Sequence, residues 1–296
     1  MKTFKITDIT GVIPAMISTF DEKENLDLDR AAKLTEYLIS KGAQGLYLTG
    51  STGEGFLMDG NERKAYAETV IKTVNGRIPV IVHVGDIGTK KSIELAKHAE
   101  KIGASAISSV PPFYYRFPAD DIFSYYKDVA GSVDVPMIVY NVPLAGLMNN
   151  SLIYRLAEIE NVKGLKFTGN DHDNMSEIKQ KLGKDFMVYS GCDEMATQGL
   201  LAGADGIIGS FYNMMCEYTE AFEIQKMASS FIHFAVQWDY YPVMRECLKS
   251  IGVDVGFSRK PFATPSKETM DKIWKFCGEL IKKNPNTHMD FMENRR

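Results

Sequence analysis

The chain has 296 residues, of which 45% are hydrophobic and 24% charged, with a net charge of -4. This length fits one barrel-sized domain or two smaller ones, and the absence of a basic stripe argues against nucleic-acid or membrane partners. No apolar run approaches the length of a transmembrane helix, and residues 1–6 lack the apolar core of a signal peptide. Four distant cysteines and five scattered histidines lack metal-ligand spacing, so we expect a reduced, cytoplasmic protein without metal or cofactor.

Short apolar runs rich in β-branched residues alternate with amphipathic stretches through residue 227. The apolar runs predict eight β-strands, at residues 11–19, 45–49, 79–84, 106–110, 136–141, 162–168, 186–190 and 206–210. The amphipathic stretches predict helices at residues 27–41, 61–75, 90–102, 119–131, 151–159, 174–182, 193–201 and 213–227. Several of these helices begin at a plausible cap, such as Ser151, or end at a glycine, such as Gly103.

Successive strand-then-helix units of this kind are typical of a parallel (β/α)8 barrel, the TIM barrel, with an open doubly wound sheet as the alternative. After residue 227 the alternation stops, and residues 237–251 and 267–282 are the clearest helical patterns. The sequence therefore predicts an α/β fold in two parts. Residues 1–227 form a barrel that carries the active site, and residues 228–296 form a C-terminal helical region packed on it.

The turn after the second predicted strand is rich in small residues and reads Gly50-Ser51-Thr52-Gly53-Glu54. It lacks the Gly-Lys-Ser/Thr ending of a P-loop and does not fit the dinucleotide-binding pattern. It is therefore either a tight strand-to-helix turn or an anion cradle, in which backbone N–H groups and the hydroxyls of Ser51 and Thr52 act as donors. A carboxylate suits such a cradle better than a triphosphate, because no lysine accompanies it.

Tyr140 ends the fifth predicted strand, and two acids follow the seventh. An inward tyrosine is either a packed aromatic residue or a phenol that relays a proton beside a neutral amine. Asp193 and Glu194 either open a helix, where the helix dipole favours acids, or accept hydrogen bonds from sugar hydroxyls. We interpret His83, at the end of the third strand, as a core histidine.

Lys166 lies inside the sixth predicted strand, in the run Val-Lys-Gly-Leu-Lys-Phe-Thr at residues 162–168. Strand alternation places Gly164, Lys166 and Thr168 on one face. Such a lysine is either a surface or strand-end charge, or a buried amine that desolvation keeps neutral and nucleophilic. Because barrel enzymes place their chemistry at the carboxyl ends of the strands, we predict that Lys166 is the nucleophile and Lys163 is not.

Together these motifs resemble the N-acetylneuraminate lyase and dihydrodipicolinate synthase superfamily of class I aldolases, over nearly the whole chain. The resemblance rests on the motifs Gly50-Ser51-Thr52-Gly53-Glu54, Tyr140-Asn141-Val142-Pro143 and Gly164-Leu165-Lys166. Further motifs are typical of the sialic acid lyase branch: Phe113-Tyr114-Tyr115, Thr168, Gly191-x-Asp193-Glu194, Gly206-Ile207-Ile208-Gly209-Ser210, Tyr212-Asn213 and Arg259-Lys260-Pro261-Phe262. The synthase branch typically has an arginine after the Tyr-Asn-Val-Pro run, where this chain has Leu-Ala-Gly.

The resemblance implies a role for each motif residue. Lys166 would form a Schiff base with the ketone, Tyr140 would transfer the proton, and Ser51 and Thr52 would hold the carboxylate. The sugar hydroxyls would be bound by Thr168, Gly191, Asp193, Glu194 and Ser210. Tyr114 would pack beside the active site at a subunit interface, since the family is usually homotetrameric. The run Phe-Thr-Gly-Asn-Asp at residues 167–171 departs from the more usual Thr-Ser-Gly-Asp type and bears on the shape of the sugar pocket.

The resulting hypothesis is an aldolase that converts N-acetylneuraminate to N-acetylmannosamine and pyruvate, using no metal or cofactor. A second hypothesis is the same imine chemistry on a 2-keto-3-deoxy sugar acid or aspartate semialdehyde. A third is a barrel that binds a sugar acid without turnover, against which the intact Lys166 and Tyr140 argue. A fourth is a phosphosugar isomerase with a phosphate site at the glycines near the eighth strand.

Overall fold

The computed structural model of the chain describes residues 4–215, 221–284 and 290–293. Its centre is a sheet of eight parallel strands. The strands are β1 (Gly11–Pro14), β2 (Leu46–Leu48), β3 (Val80–His83), β4 (Ala106–Ser109), β5 (Met137–Asn141), β6 (Val162–Phe167), β7 (Met187–Ser190) and β8 (Gly206–Gly209). Each predicted strand is thus confirmed, with trimmed ends.

The sheet closes on itself into a barrel. Its strands follow the order β2-β3-β4-β5-β6-β7-β8-β1, which leaves β1 and β2 at the two ends. A parallel bridge between Ala15 and Tyr47 joins those ends, and the N–H of Met16 donates to the carbonyl oxygen of Tyr47 at 2.8 Å. The (β/α)8 barrel is therefore confirmed, and the open doubly wound sheet is wrong.

A helix follows each strand and covers the outside of the barrel. These helices are α1 (Leu28–Ser40), α2 (Gly60–Val74), α3 (Thr89–Lys101), α4 (Ala119–Ala130), α5 (Asn150–Ala157), α6 (His172–Leu182), α7 (Ala196–Leu201) and α8 (Ala221–Ala235). Beyond α8, the described residues contain α9 (Tyr240–Ser250), α10 (Lys267–Lys283) and α11 (Asp290–Glu293). No helix of the described residues combines the length and the apolar character needed to cross a membrane.

Side-chain caps fix where several helices begin. Asp59 and Glu62 form a reciprocal capping box at the start of α2, which satisfies backbone N–H groups that the helix itself leaves unpaired. The cap of α5 is Asn149, whose side chain accepts the N–H of Leu152. The predicted cap of that helix, Ser151, instead lies inside its first turn. The side-chain amide oxygen of Asn149 caps the helix, two residues earlier.

The eighth predicted helix, residues 213–227, differs from the observed one. Residues 216–220 lie outside the described part of the chain, residues 211–213 form a short 3-10 turn, and α8 continues to Ala235. The predicted division between residues 227 and 228 therefore falls within one helix. That division stays a prediction, and the C-terminal helices share a core with the barrel through Met244, Ile273 and Phe291.

The barrel has an inner core of its own, distinct from the outer layer between strands and helices. Inward side chains from alternating strand positions fill it, including Ile13, Tyr47, Ile138 and Tyr189. At the amino ends of the strands, Ile9 is fully buried against this core, and the Tyr189 hydroxyl donates to its carbonyl oxygen at 3.0 Å. The barrel is therefore plugged at that end, and its open mouth lies at the carboxyl ends of the strands.

Candidate active site

Lys166 is buried on β6, with 4% of its surface exposed. In the sheet register it lies beside Tyr140 of β5 and Tyr189 of β7. Lys163, on the same strand, is exposed. An odd number of steps separates the two lysines, so they point to opposite faces, and only Lys166 enters the barrel.

The Lys166 amine lies between two tyrosine rings. Its Nζ is 4.2 Å from the Tyr140 ring centroid and 4.5 Å from that of Tyr47. The two rings meet edge to face, with centroids 6.1 Å apart. Among the described residues no carboxylate forms an ion pair with this amine. The amine is thus held in place by aromatic surfaces while its nitrogen stays available for bonding.

Tyr47 is a residue of this group that the sequence interpretation missed. Its hydroxyl donates to Ser108 Oγ at 3.1 Å, and Ser108 in turn donates to the carbonyl oxygen of Ile138 at 2.9 Å. Burial raises the pKa of Tyr47 well above its usual range, so the phenol stays protonated. Its position on β2, three residues before the glycine-rich turn, was the available signal, but a tyrosine in an apolar strand is ordinarily core.

The turn after β2 folds back tightly. Thr49 and Glu54 both adopt the left-handed backbone region, with φ of 56° and 52°. A Cβ on Gly55 would lie 2.0 Å from the Thr49 carbonyl oxygen, so only glycine fits there. Within this turn, the Thr52 hydroxyl lies 2.7 Å from the Ser210 hydroxyl, which links the end of β2 to the end of β8 across the mouth.

The ends of β6 and β7 lie against each other beside Lys166. A Cβ on Gly191 would be 2.0 Å from Thr168 Oγ1 and 3.2 Å from Lys166 Cε. Thr168 Oγ1 is itself buried and has no hydrogen-bond partner in the described structure. A buried hydroxyl without a partner is costly, and this one is an unsatisfied donor and acceptor close to the Lys166 side chain.

Asp193 is buried between the ends of β7 and β8. Its Oδ2 accepts the N–H of Phe211 at 2.7 Å, and a Cβ on Gly209 would lie 1.6 Å from its Oδ1. Burial raises the pKa of the Asp193 carboxyl to about 7. The Asp193 carboxyl group therefore ties the turn after β7 to the turn after β8.

Glu194 is half-buried and lies in a 3-10 turn that precedes α7. The predicted helix 193–201 thus starts as this turn and becomes α-helical only at Ala196. The Glu194 carbonyl oxygen accepts the Gln225 amide at 3.1 Å and the Ser229 hydroxyl at 2.7 Å. These bonds from α8 fix the turn that follows β7.

Tyr114 lies apart from Lys166 in its own chain. Its side chain is 85% exposed, its φ is 78°, and its ring packs edge to face on Tyr115 at 5.0 Å. Tyr114 and Tyr115 therefore point to solvent, whereas Phe113 of the same motif lines the cavity beside Ser51. His83, in contrast, is buried as expected, and its Nε2 accepts the N–H of Val110 at 3.2 Å. Burial, together with the nearby charges of Arg63 and Lys166, lowers the pKa of His83 well below its usual range.

A cavity of about 320 Å³ opens beside Ser51. Its walls come from the turn after β2, from the ends of β4 and β5, and from the C-terminal region through Tyr241, Pro261 and Phe262. Most of the lining side chains are apolar, as is usual for a small-molecule site. The C-terminal region thus contributes directly to the mouth of the barrel.

A parallel barrel whose sixth strand presents a buried amine at the open mouth is suited to imine chemistry with a carbonyl substrate. The chain matches the model of the dihydrodipicolinate synthetase family over residues 8–279 and belongs to that family.

Proteins similar to this chain carry lyase names. It is 35% identical to N-acetylneuraminate lyase 2 of Escherichia coli O6:H1, over 94% of this chain and 96% of that protein. It is 33% identical to the N-acetylneuraminate lyase of Rhizobium meliloti, over 86% and 89% of the two chains. Because such relatives are carbon–carbon lyases, the chain is an enzyme of that class.

Solved structures give the same picture. A catalytic lysine mutant of the Ruminococcus gnavus sialic acid aldolase superposes with a TM-score of 0.89 at 29% identity, covering 95% of this chain and 98% of that one. A dihydrodipicolinate synthase of Bacillus anthracis superposes with a TM-score of 0.85 at 28% identity, covering 93% and 98%. The fold alone therefore does not separate the two activities.

Proposed function

We propose that this enzyme is a class I aldolase that cleaves N-acetylneuraminate into N-acetylmannosamine and pyruvate. The observation that carries the proposal is the buried Lys166 amine, held between Tyr47 and Tyr140 at the open mouth. No carboxylate among the described residues forms an ion pair with this buried amine. An amine of this kind is the nucleophile that a ketone requires. The names of the relatives support sialic acid as the substrate.

The proposed reaction proceeds through a Schiff base. The neutral Lys166 amine attacks the substrate ketone, water leaves, and a protonated imine forms. The substrate hydroxyl next to the scissile carbon–carbon bond loses its proton, the bond breaks, and its electron pair moves toward the imine nitrogen. The sugar leaves as an aldehyde and a pyruvate enamine remains on the lysine. Protonation of this enamine carbon and hydrolysis then release pyruvate and restore the amine.

Tyr140 is the proposed proton carrier for the cleavage step. It lies directly beside Lys166 in the sheet register, within reach of atoms bonded to Nζ. A phenol is too weak a base to remove the hydroxyl proton alone, so it acts through the substrate carboxylate or a water molecule. Acid–base assistance of this kind contributes on the order of 10²–10⁴-fold in rate.

The remaining motif residues are proposed to bind the two ends of the substrate. The Ser51 and Thr52 hydroxyls and the backbone N–H groups of their turn hold the carboxylate. The sugar hydroxyls extend toward the ends of β6, β7 and β8, and the proposed contacts there are Thr168, Gly191, Asp193, Glu194 and Ser210. The unpartnered Thr168 hydroxyl supports this placement, because a ligand hydroxyl would satisfy it.

The same imine chemistry on another 2-keto acid is the second candidate. The similarity to a dihydrodipicolinate synthase structure favours it. The mouth of this chain has Leu144, exposed, and Ala145 where that branch typically carries an arginine. A site without this cation is less suited to a dicarboxylate, so a sugar acid remains the preferred substrate.

We propose further that the chain forms a homotetramer, with Tyr114 beside the active site at a subunit interface. Several large apolar side chains near the mouth are exposed in the single chain: Phe56, Tyr114, Tyr115, Leu144 and Leu147. Exposed apolar side chains in one region of a surface are typical of protein–protein contacts.

Borohydride reduction in the presence of pyruvate tests the imine. We expect a stable adduct that peptide mapping places on Lys166, absent from Lys166→Ala and retained in the matched control Lys163→Ala.

A second experiment tests the substrate. The cleavage of N-acetylneuraminate, followed by coupled detection of pyruvate, is compared with the turnover of 2-keto-3-deoxy sugar acids and of aspartate semialdehyde with pyruvate. An adduct on another residue would refute the mechanism, and faster turnover of another substrate would replace the proposed one.

A further inference from the structure

Glu54, the last residue of the glycine-rich turn, carries a carboxylate that no solvent reaches. One of its oxygens accepts Arg245 Nη2 at 2.6 Å, and the other accepts the backbone N–H of Arg259 at 2.8 Å. Both partners come from the C-terminal region, one from α9 and one from the segment that follows it. The turn that carries Ser51 and Thr52 is therefore fastened to a part of the chain about two hundred residues away.

Arg245 is fixed by other bonds besides its pair with Glu54. Its guanidinium donates to the carbonyl oxygens of Ser18 and Val255, at 2.7 and 3.0 Å, and to Ser258 Oγ at 2.9 Å. Only 2% of its side chain is exposed. An arginine with its donors satisfied in this way cannot swing toward a ligand, so its position defines the position of Glu54.

The backbone of the turn couples the position of Glu54 to the positions of Ser51 and Thr52. Thr49 and Glu54 bracket Ser51 and Thr52, and both bracketing residues adopt the left-handed region that costs a non-glycine residue about 1–2 kcal/mol. The N–H of Glu54 donates to the Ser51 carbonyl oxygen at 3.0 Å. The Glu54 side chain and the Ser51 peptide therefore belong to one rigid unit, and moving the carboxylate moves the hydroxyls.

We propose that Glu54 is a positioning residue through which Arg245 and the Arg259 N–H set the geometry of the carboxylate cradle. This inference rests on the proposed function, in which Ser51 and Thr52 bind the substrate carboxylate. Arg245 is paired with Glu54 and is therefore not available to bind the substrate carboxylate directly. In this proposal the substrate carboxylate is bound by hydroxyls and N–H groups at fixed positions. Selectivity for a charged 2-keto acid then depends on a contact that never touches the substrate.

The test compares pyruvate with its neutral amide, pyruvamide, in borohydride trapping on Lys166. In wild type, we expect half-maximal trapping to need less pyruvate than pyruvamide. In Glu54→Gln and Glu54→Asp, we expect this preference to shrink roughly 10–100-fold, the effect of a displacement of about 1 Å, because the cradle moves while the amine does not. General loosening of the fold would weaken the binding of pyruvate and of pyruvamide alike, and would leave the ratio of their half-maximal concentrations unchanged.

Asp254→Asn is the matched control. Asp254 also accepts an arginine, Arg30 at 2.9 Å, and also ties the C-terminal region to the barrel, but it does not contact Glu54. Its pyruvate preference should equal that of wild type. An unchanged or larger preference in both Glu54 variants would overturn the inference. Failure of the wild type itself to form an adduct would instead refute the proposed function.

A measurement on the wild-type enzyme covers the case in which both Glu54 variants fail to fold. Reduction of the pyruvate imine leaves a carboxylate permanently in the cradle. We expect hydrogen exchange to slow in residues 50–55 and also in the segment that contains the Arg259 N–H. Slower exchange confined to residues 50–55 would show that the cradle is independent of the C-terminal region, and would overturn the inference.

Discussion

Asp193 shows how a single residue of this site couples the fold to pH. Burial raises the pKa of its carboxyl from 3.8 to about 7, so the native state holds a proton that the unfolded state has released. Where the native state binds more protons, the free energy of unfolding falls as pH rises. The stabilising protonated form is present below about pH 4, and its contribution is lost as the pH approaches 7.

The change Asp193→Asn removes this titration and keeps an acceptor for the Phe211 N–H. Between about pH 4 and pH 7, we expect the unfolding free energy of wild type to fall relative to the variant by at most about 4 kcal/mol, at 1.36 kcal/mol per pKa unit. Urea unfolding of both proteins across this range measures the difference. A gap between the two proteins that stays constant with pH would contradict the raised pKa.

For single residues, the sequence was informative about which lysine is buried and uninformative about the side chains that surround it. The buried position of Lys166 could be predicted because a lysine inside an apolar strand is unusual, and strand alternation already separated it from Lys163. Tyr47 could not be singled out, since an aromatic residue in an apolar strand is ordinary. Nor could Asp193 be distinguished from a helix-opening acid, because its burial comes from Gly209 on another strand.

The ends of β7 and β8 pack so closely that glycine is required at Gly209. We predict that Gly209→Ala, which would place a methyl group 1.6 Å from Asp193 Oδ1, lowers the unfolding free energy by about 1–3 kcal/mol. Gly278→Ala in α10 is the matched control, because a Cβ there meets nothing within 4 Å. The control should stabilise by up to about 1 kcal/mol, since alanine favours helix. Denaturant midpoints measure both, and equal effects would refute the steric account.

Element boundaries show what local patterns omit. The first predicted strand ran from residue 11 to 19, but β1 ends at Pro14 and only Ala15 still forms a bridge. Residues 15–19 are all buried, so their apolar pattern is real, yet they leave the sheet at the barrel mouth. Burial without sheet pairing gives the same sequence pattern as a buried strand, so the end of β1 could not be predicted.

For the whole molecule, the exposed apolar side chains near the mouth predict self-association. We expect sedimentation to give a mass of four chains. Leu147→Asp, which changes a side chain that is 60% exposed, should lower that mass, because a carboxylate in an apolar contact is costly to desolvate. The matched control is Leu201→Asp, 76% exposed on α7, away from these side chains. A monomeric wild type, or two variants with the same mass, would contradict this interface.

The eight-fold architecture could be predicted from the sequence because each unit is local, with one strand and one helix in succession. The attachment of the C-terminal region could not be predicted in this way. Arg245 and Glu54 are 191 residues apart, and neither sequence neighbourhood identifies the other. The sequence therefore predicted a helical region packed on the barrel, but it did not predict that this region lines the mouth.

The plug at the amino ends of the strands, where Tyr189 bonds to Ile9, makes the barrel a well with one entrance. In the proposed reaction pyruvate stays bonded to Lys166, and the sugar lies farther out, nearer the entrance. The sugar must therefore depart before pyruvate can. When the reaction runs toward synthesis, pyruvate must bind first. The order of substrate binding and product release therefore follows from the plug at the amino ends of the strands.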